Sequence, residues 1–73
     1  MRLVSGVDVQ HRLATNLRRL RGERGLSQEA FADVVGIHRT YISDLERGAR
    51  NPTIKLVDTV AVALKVTASD LLK

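Results

Sequence analysis

The sequence predicts an all-α domain of five short helices, on three observations. Apolar residues recur at three- and four-residue spacing, and no run alternates with period two. The hydrophobic fraction is 44%, yet the chain holds one Phe, one Tyr and no Trp, so its core must be aliphatic. Gly, Ser and Thr fall where the periodic runs stop and restart, as helix ends require.

The first helix is expected from about Asp8 to Arg24. Leu13, Leu17 and Leu20 fall at i, i+4 and i+7 and make one apolar stripe, widened by Ala14. Arg18, Arg19, Arg21 and Arg24 lie around its other faces, and Gly25 closes it. Ser27 caps the second helix, with Gln28 and Glu29 in its first turn. Gly36 stops that helix. The third runs from about His38 to Arg47 and ends at Gly48. Residues 49–52 form a loop, because Pro52 disfavours helix at Asn51. Thr53 caps the fourth helix, in which Ile54, Val57, Val60, Ala61 and Leu64 are expected to face the core. Thr67 and Asp70 have the spacing of a capping box with the shorter acid, opening a last turn around Leu71 and Leu72.

At 73 residues the chain is one domain near the lower size limit for a self-sufficient core. Residues 1–7 read as a tail with three open roles, disordered, packed on a second copy or reaching a partner with Arg2, and residues 8–73 as the domain. There is no internal repeat, low-complexity segment or linker. The absence of cysteine excludes disulfides and thiolate metal sites and allows an intracellular location. No apolar run reaches membrane-spanning length, and MRLVSGV is too short and weakly apolar for a signal peptide. His11 and His38 have no accompanying carboxylate cluster, so neither a metal nor another cofactor is expected. With no catalytic pair, no nucleotide-binding glycine loop and a core too small for an enclosed pocket, the chain does not read as an enzyme. The net charge is +4, and nine of the twelve cations are Arg, whose planar donors suit phosphate and guanine. That balance favours a polyanionic partner.

The run from Gln28 to Arg47, QEAFADVVGIHRTYISDLER, is the most informative part. Apolar or small residues at Phe31, Ala32, Val35, Ile37, Ile42 and Leu45 flank Gly36. A small residue lets two helices approach, a Gly accepts the turn, and the apolar residues hold the second helix at a fixed angle. This is the pattern of a helix-turn-helix, whose second helix enters a DNA major groove.

The segment LSQEAFADVVGIHRTYISDLERGARNPT, with the later ALKV, resembles the Cro and phage-repressor (Xre) class, over about Leu13 to Leu72. Within that class HRTYISDLERGARNPT is similar to the controller proteins of restriction–modification systems. The resemblance implies a lambda-repressor-like five-helix fold and a dimeric, sequence-specific transcriptional regulator on a roughly palindromic operator. Autoregulation, a cytoplasmic location and association with the nucleoid when bound follow from it. Lys65 departs from the class, where Gly is common: either a left-handed residue there is mildly strained or that helix ends differently.

Site residues carry over by position. Gln28 is implied to meet a phosphate or a base edge at a helix N-terminus. Arg39, Thr40 and Asp44 are implied to project into the major groove, and Tyr41 to contact backbone or a base edge. Asp44 is alternatively an intramolecular partner of Arg39 or Arg47. Arg47, Arg50 and Asn51 are implied to grip phosphate. Arg21 and Glu46 match a structural ion pair joining the first helix to the end of the recognition helix. Glu29 and Asp33 are solvated acids on a plain reading; the class implies a contact with the sigma factor of RNA polymerase. Leu56, Val62, Leu71 and Leu72 are surplus apolar residues expected to form a homodimer interface or to cover the small core. Two other readings stay open: an antitoxin that binds a toxin as well as double-stranded DNA, and a protein-interaction module without specific DNA binding.

Overall fold

The computed structural model describes residues 6–73; residues 1–5, including Arg2 of the expected tail, lie outside the described residues. Five helices follow in order: α1 (Gly6–Glu23), α2 (Gln28–Val35), α3 (Arg39–Glu46), α4 (Ile54–Leu64) and α5 (Ala68–Leu72). Helix α1 thus begins two residues before its expected start. Among the described residues there is no strand.

Each cap read from the sequence has a bonding reason. The Ser27 hydroxyl accepts from Ala30 N at 3.0 Å, and Thr53 accepts from Leu56 N at 3.1 Å. Thr67 and Asp70 exchange both bonds of a capping box at 3.0 Å. The far ends also share one device. In α2 the amides of Gly36 and Ile37 return to the Ala32 carbonyl, with Gly36 at φ 85°, where a Cβ is penalised. Helix α4 ends the same way, Val66 N to Ala61 O and Lys65 N to Val62 O, but its left-handed residue is Lys65 at φ 60°. The strain expected at Lys65 is therefore present.

Helix α1 packs on α3 and α5, α2 on α3 and α4, and α4 on α5. The core between them joins Leu13, Leu17 and Leu20 to Phe31, Ala32, Ile42, Leu45, Val57, Val60, Ala61, Leu64 and Leu71. Two polar side chains of α1, and Arg24 just beyond its end, tie down the ends of the last two helices. Arg12 Nε donates to Leu72 O at 2.9 Å, and Asn16 Nδ2 to Leu71 O at 2.9 Å. Arg24 Nε donates to Leu64 O at 2.8 Å. These carbonyls have no intrahelical donor; all three side chains satisfy them, and the two arginines also complement the helix dipole.

Two apolar expectations are corrected. Ile54, assigned to the core, is 88% exposed. It is the first residue of α4, and a helical side chain covers the turn before its own Cα, which here is loop. Leu71, offered for a dimer interface or for the core, is fully buried in the protomer's own core and offers a second copy no surface, so the interface reading is dropped for it.

Candidate nucleic-acid interface

Helix α3 has two faces. Ile42 and Leu45 are buried, which fixes the helix against the core. Each residue advances the helix by about 100°, so Arg39, Thr40, Ser43 and Arg47 fall together on the opposite face. Arg39, Thr40 and Arg47 are exposed and Ser43 is half-buried. Among the described residues Arg39 has no intramolecular hydrogen bond or ion pair, so its guanidinium is uncommitted. Ser43 was missed in the sequence. Its position four residues after Arg39 and four before Arg47 was the available signal, obscured because a serine carries no charge. His38 precedes the helix and makes no side-chain cap.

The orientation of α3 is held from behind. Arg21 Nε donates to Glu46 Oε2 at 2.5 Å and Arg21 Nη2 to Glu46 Oε1 at 3.0 Å. The Glu46 side chain is 4% exposed and that of Arg21 16%. Arg21 also donates to Leu26 O at 2.6 Å, in the turn before α2. The Glu46 hydrogen bond raises the Arg21 pKa above its ordinary value, outweighing the opposing effect of partial burial. Gln28 Nε2 donates to the same Glu46 Oε1 at 3.1 Å. Gln28, at the start of α2, therefore turns one N–H inward and leaves its carbonyl oxygen and second N–H for an outside partner. One carboxylate links α1, α2 and α3.

A second ionic group lies at the end of α3. The Asp44 carboxylate accepts from Arg47 Nη2 and, at 3.2 Å, from Arg50 Nε. The Arg50 guanidinium carbon stands 4.4 Å from the centre of the Tyr41 ring. The hydrogen bonds from Arg47 and then Arg50 hold the Asp44 carboxyl below the usual carboxylate range. Asp44 thus pairs with Arg47, one of the two partners offered for it, and with Arg50, which was not. Asn51 is exposed in the loop beyond.

The remaining named residues are spread over other surfaces. Glu29 and Asp33 are exposed on α2, as is Val34 at 61%. On α4, Val62 is 67% exposed, while Leu56 and Leu72 are partly buried against the core. Among the described residues no group of His, Cys, Asp and Glu is arranged to hold a metal, and no helix is long and apolar enough to cross a membrane.

Comparison with known proteins agrees with this architecture. The family model for the helix-turn-helix (HTH_3) matches residues 17–71. The chain is 41% identical to control protein C.SmaI of Serratia marcescens, covering 90% of this chain and 79% of that protein. It superposes on the restriction–modification controller protein C.AhdI from Aeromonas hydrophila with a TM-score of 0.80 and 35% identity, over 85% of this chain and 94% of that one. It also matches SinR, a master regulator for biofilm formation solved in complex with DNA, with a TM-score of 0.79 and 29% identity, over 84% and 98% of the two chains. The chain belongs to the HTH_3 helix-turn-helix family of transcriptional regulators.

Proposed function

We propose that this chain is a sequence-specific DNA-binding transcriptional regulator of the restriction–modification controller kind, acting as a homodimer. The observation that carries it is the outward face of α3. It presents uncommitted Arg39 beside Thr40 and Ser43, on a helix locked from behind by Ile42, Leu45 and Glu46. Arg39 supplies the fork that matches guanine O6 and N7, and Thr40 a hydroxyl and a methyl for a neighbouring base. Gln28, Arg47, Arg50 and Asn51 border that face and supply backbone contacts that set register. Tyr41 holds Arg50 at its edge.

A single short helix reads few base pairs, so a second copy on a half-site one turn away supplies the rest of the specificity. Two separate apolar surfaces are available for that copy: exposed Val62 on α4, and Ile54 on a groove of about 260 Å³ that Leu72 also lines. The exposed acids Glu29 and Asp33, with Val34 nearby on α2, are the surface available to a sigma factor. Loss of activation with unchanged DNA binding in Glu29→Lys would support that contact.

The test is selection of bound duplexes from a random pool, followed by titration against salt. A regulator enriches a palindrome with half-sites about one turn apart and prefers it over random DNA by about 10³-fold or more. Uniform binding that fades with salt, without enrichment, would favour a protein-interaction module instead. A toxin encoded beside this chain and bound by it would favour the antitoxin reading.

A further inference from the structure

Asp44 places a negative charge on a surface proposed to meet phosphate. Left free, that charge would repel the ligand. The structure shows it engaged: Oδ1 accepts from Arg47, Oδ2 accepts from Arg50 Nε at 3.2 Å, and the side chain is only 18% exposed. Arg50 is held a second time by the face of Tyr41, 4.4 Å from the ring centre. Arg50 belongs to the loop after α3, where a long side chain would otherwise sample many rotamers. With Nε on Asp44 and one face on Tyr41, its two terminal nitrogens have no other partner among the described residues. They form a ready fork.

We propose that Asp44 is a positioning residue: it does not read a base but fixes Arg50 over Tyr41, so that the loop presents a second, preformed guanidinium fork to the base edges beside Arg39. This rests on the DNA-binding reading above and refines it, since Arg50 becomes a source of discrimination as well as of charge. A mobile arginine serves phosphate adequately; a fixed one distinguishes the paired acceptors of guanine from other bases. Carboxylates that merely oppose DNA and carboxylates that orient an arginine have opposite consequences when neutralised.

The experiment measures binding of the full chain to two duplexes, the one enriched by the wild type from a random pool and a random-sequence control. Asp44→Asn, Arg50→Lys and the double substitution are compared, with circular dichroism and melting to establish folding. Asp44→Asn is expected to bind the control as well as the wild type or more tightly, because a negative charge is gone. Its preference for the enriched duplex is expected to fall tenfold or more. Arg50→Lys keeps the charge, removes the fork and is expected to lose preference similarly, with the double substitution no worse than the more severe single one. Undiminished preference in Asp44→Asn, with both affinities rising together, would overturn the proposal alone. Losses that multiply in the double substitution would also overturn it, making Asp44 an independent base acceptor. Absence of any enriched sequence for the wild type would remove the DNA-binding reading itself, and this proposal with it.

Discussion

Arg21 and Glu46, twenty-five positions apart, meet in a two-point ion pair whose carboxylate is almost enclosed and is shared with Gln28. A pair of this kind need not stabilise the fold more than apolar residues would, but removing one member strands the other. Glu46→Ala leaves the Arg21 guanidinium without its carboxylate, with the Leu26 carbonyl as its remaining acceptor, and frees the Gln28 amide. The expected loss is about 3 kcal/mol, at the lower end for buried pairs because Arg21 keeps some contact with water. A domain of this length holds about 4–11 kcal/mol in total, so the melting temperature should fall by about 12 °C or more. An unchanged melt with tighter DNA binding would defeat this account.

Lys65 ends α4 in the left-handed region at φ 60°. Lys65→Gly removes the Cβ clash while giving back some unfolded-state entropy, so a gain of about 0.5–1 kcal/mol is expected. Thermal denaturation should show a rise of a few degrees. A lower melting temperature would mean that the lysine side chain contributes something the backbone geometry does not reveal.

The Asp70 carboxyl is held below the ordinary carboxylate range, first by the Thr67 backbone N–H, then by Lys73 and the Thr67 hydroxyl. A folded-state pKa below the unfolded one means the contribution is complete above the unfolded value of about 3.9. It disappears as pH falls through the lower folded value. Asp70→Ala should therefore melt below the wild type at pH 7, and the gap should close under strongly acidic conditions. A gap that persists there would assign the effect to something other than the ionised carboxylate.

Arg39 at the start of α3 and Arg47 at its C-terminal cap are both exposed but differ in commitment, since Arg47 is already paired with Asp44. Arg39→Ala is expected to cost about 1–3 kcal/mol on the selected duplex and to relax preference at one base pair. For Arg47→Ala the expectation is weaker binding to all sequences, with the salt slope reduced by about one. Titrations on selected and random duplexes separate the two. Equal losses on both duplexes for Arg39→Ala would remove it from base recognition.

Val62 and Leu71 predict opposite phenotypes. Val62→Asp should leave the protomer's melt at low concentration unchanged within about 0.5 kcal/mol, as expected for an exposed site, and weaken self-association in sedimentation. Leu71→Ala should cost about 2–5 kcal/mol of protomer stability by opening a cavity in the core. Val62→Asp with undisturbed self-association would move the interface elsewhere.

Local chemistry made most of the fold legible. Ser27, Thr53 and the Thr67–Asp70 box announce helix starts through bonds made within three residues, and Gly36 and Gly48 announce stops through a conformation other residues avoid. Apart from the Arg21–Glu46 pair, which the family resemblance implied, the bonds joining distant segments were less visible. The bonds from Arg12, Asn16 and Arg24 to carbonyls of the last two helices span forty to sixty positions, and their donors read in sequence as ordinary surface polar groups. Periodicity placed Ile54 on the core face of its helix but could not say that no neighbouring element covers that helix's first residue. It also gave no reason for Leu71 to be more buried than Leu72. At the site, spacing separated Arg39 and Thr40 from Ile42 and Leu45. Arg47 was named beforehand as a partner of Asp44, but Arg50 on Asp44 and Glu46 on Gln28 depended on where a loop and a second helix arrive in space.

Helix α3 carries its anchoring residues and its presented residues in two sets that do not overlap. Ile42, Leu45 and Glu46 settle where the helix lies; Arg39, Thr40, Ser43 and Arg47 settle what it shows. Such a scaffold can be rewritten. Exchanging Arg39 and Thr40 leaves the burial of Ile42 and Leu45 and the Glu46 ion pair untouched, so a change of target sequence need not be accompanied by a repaired core.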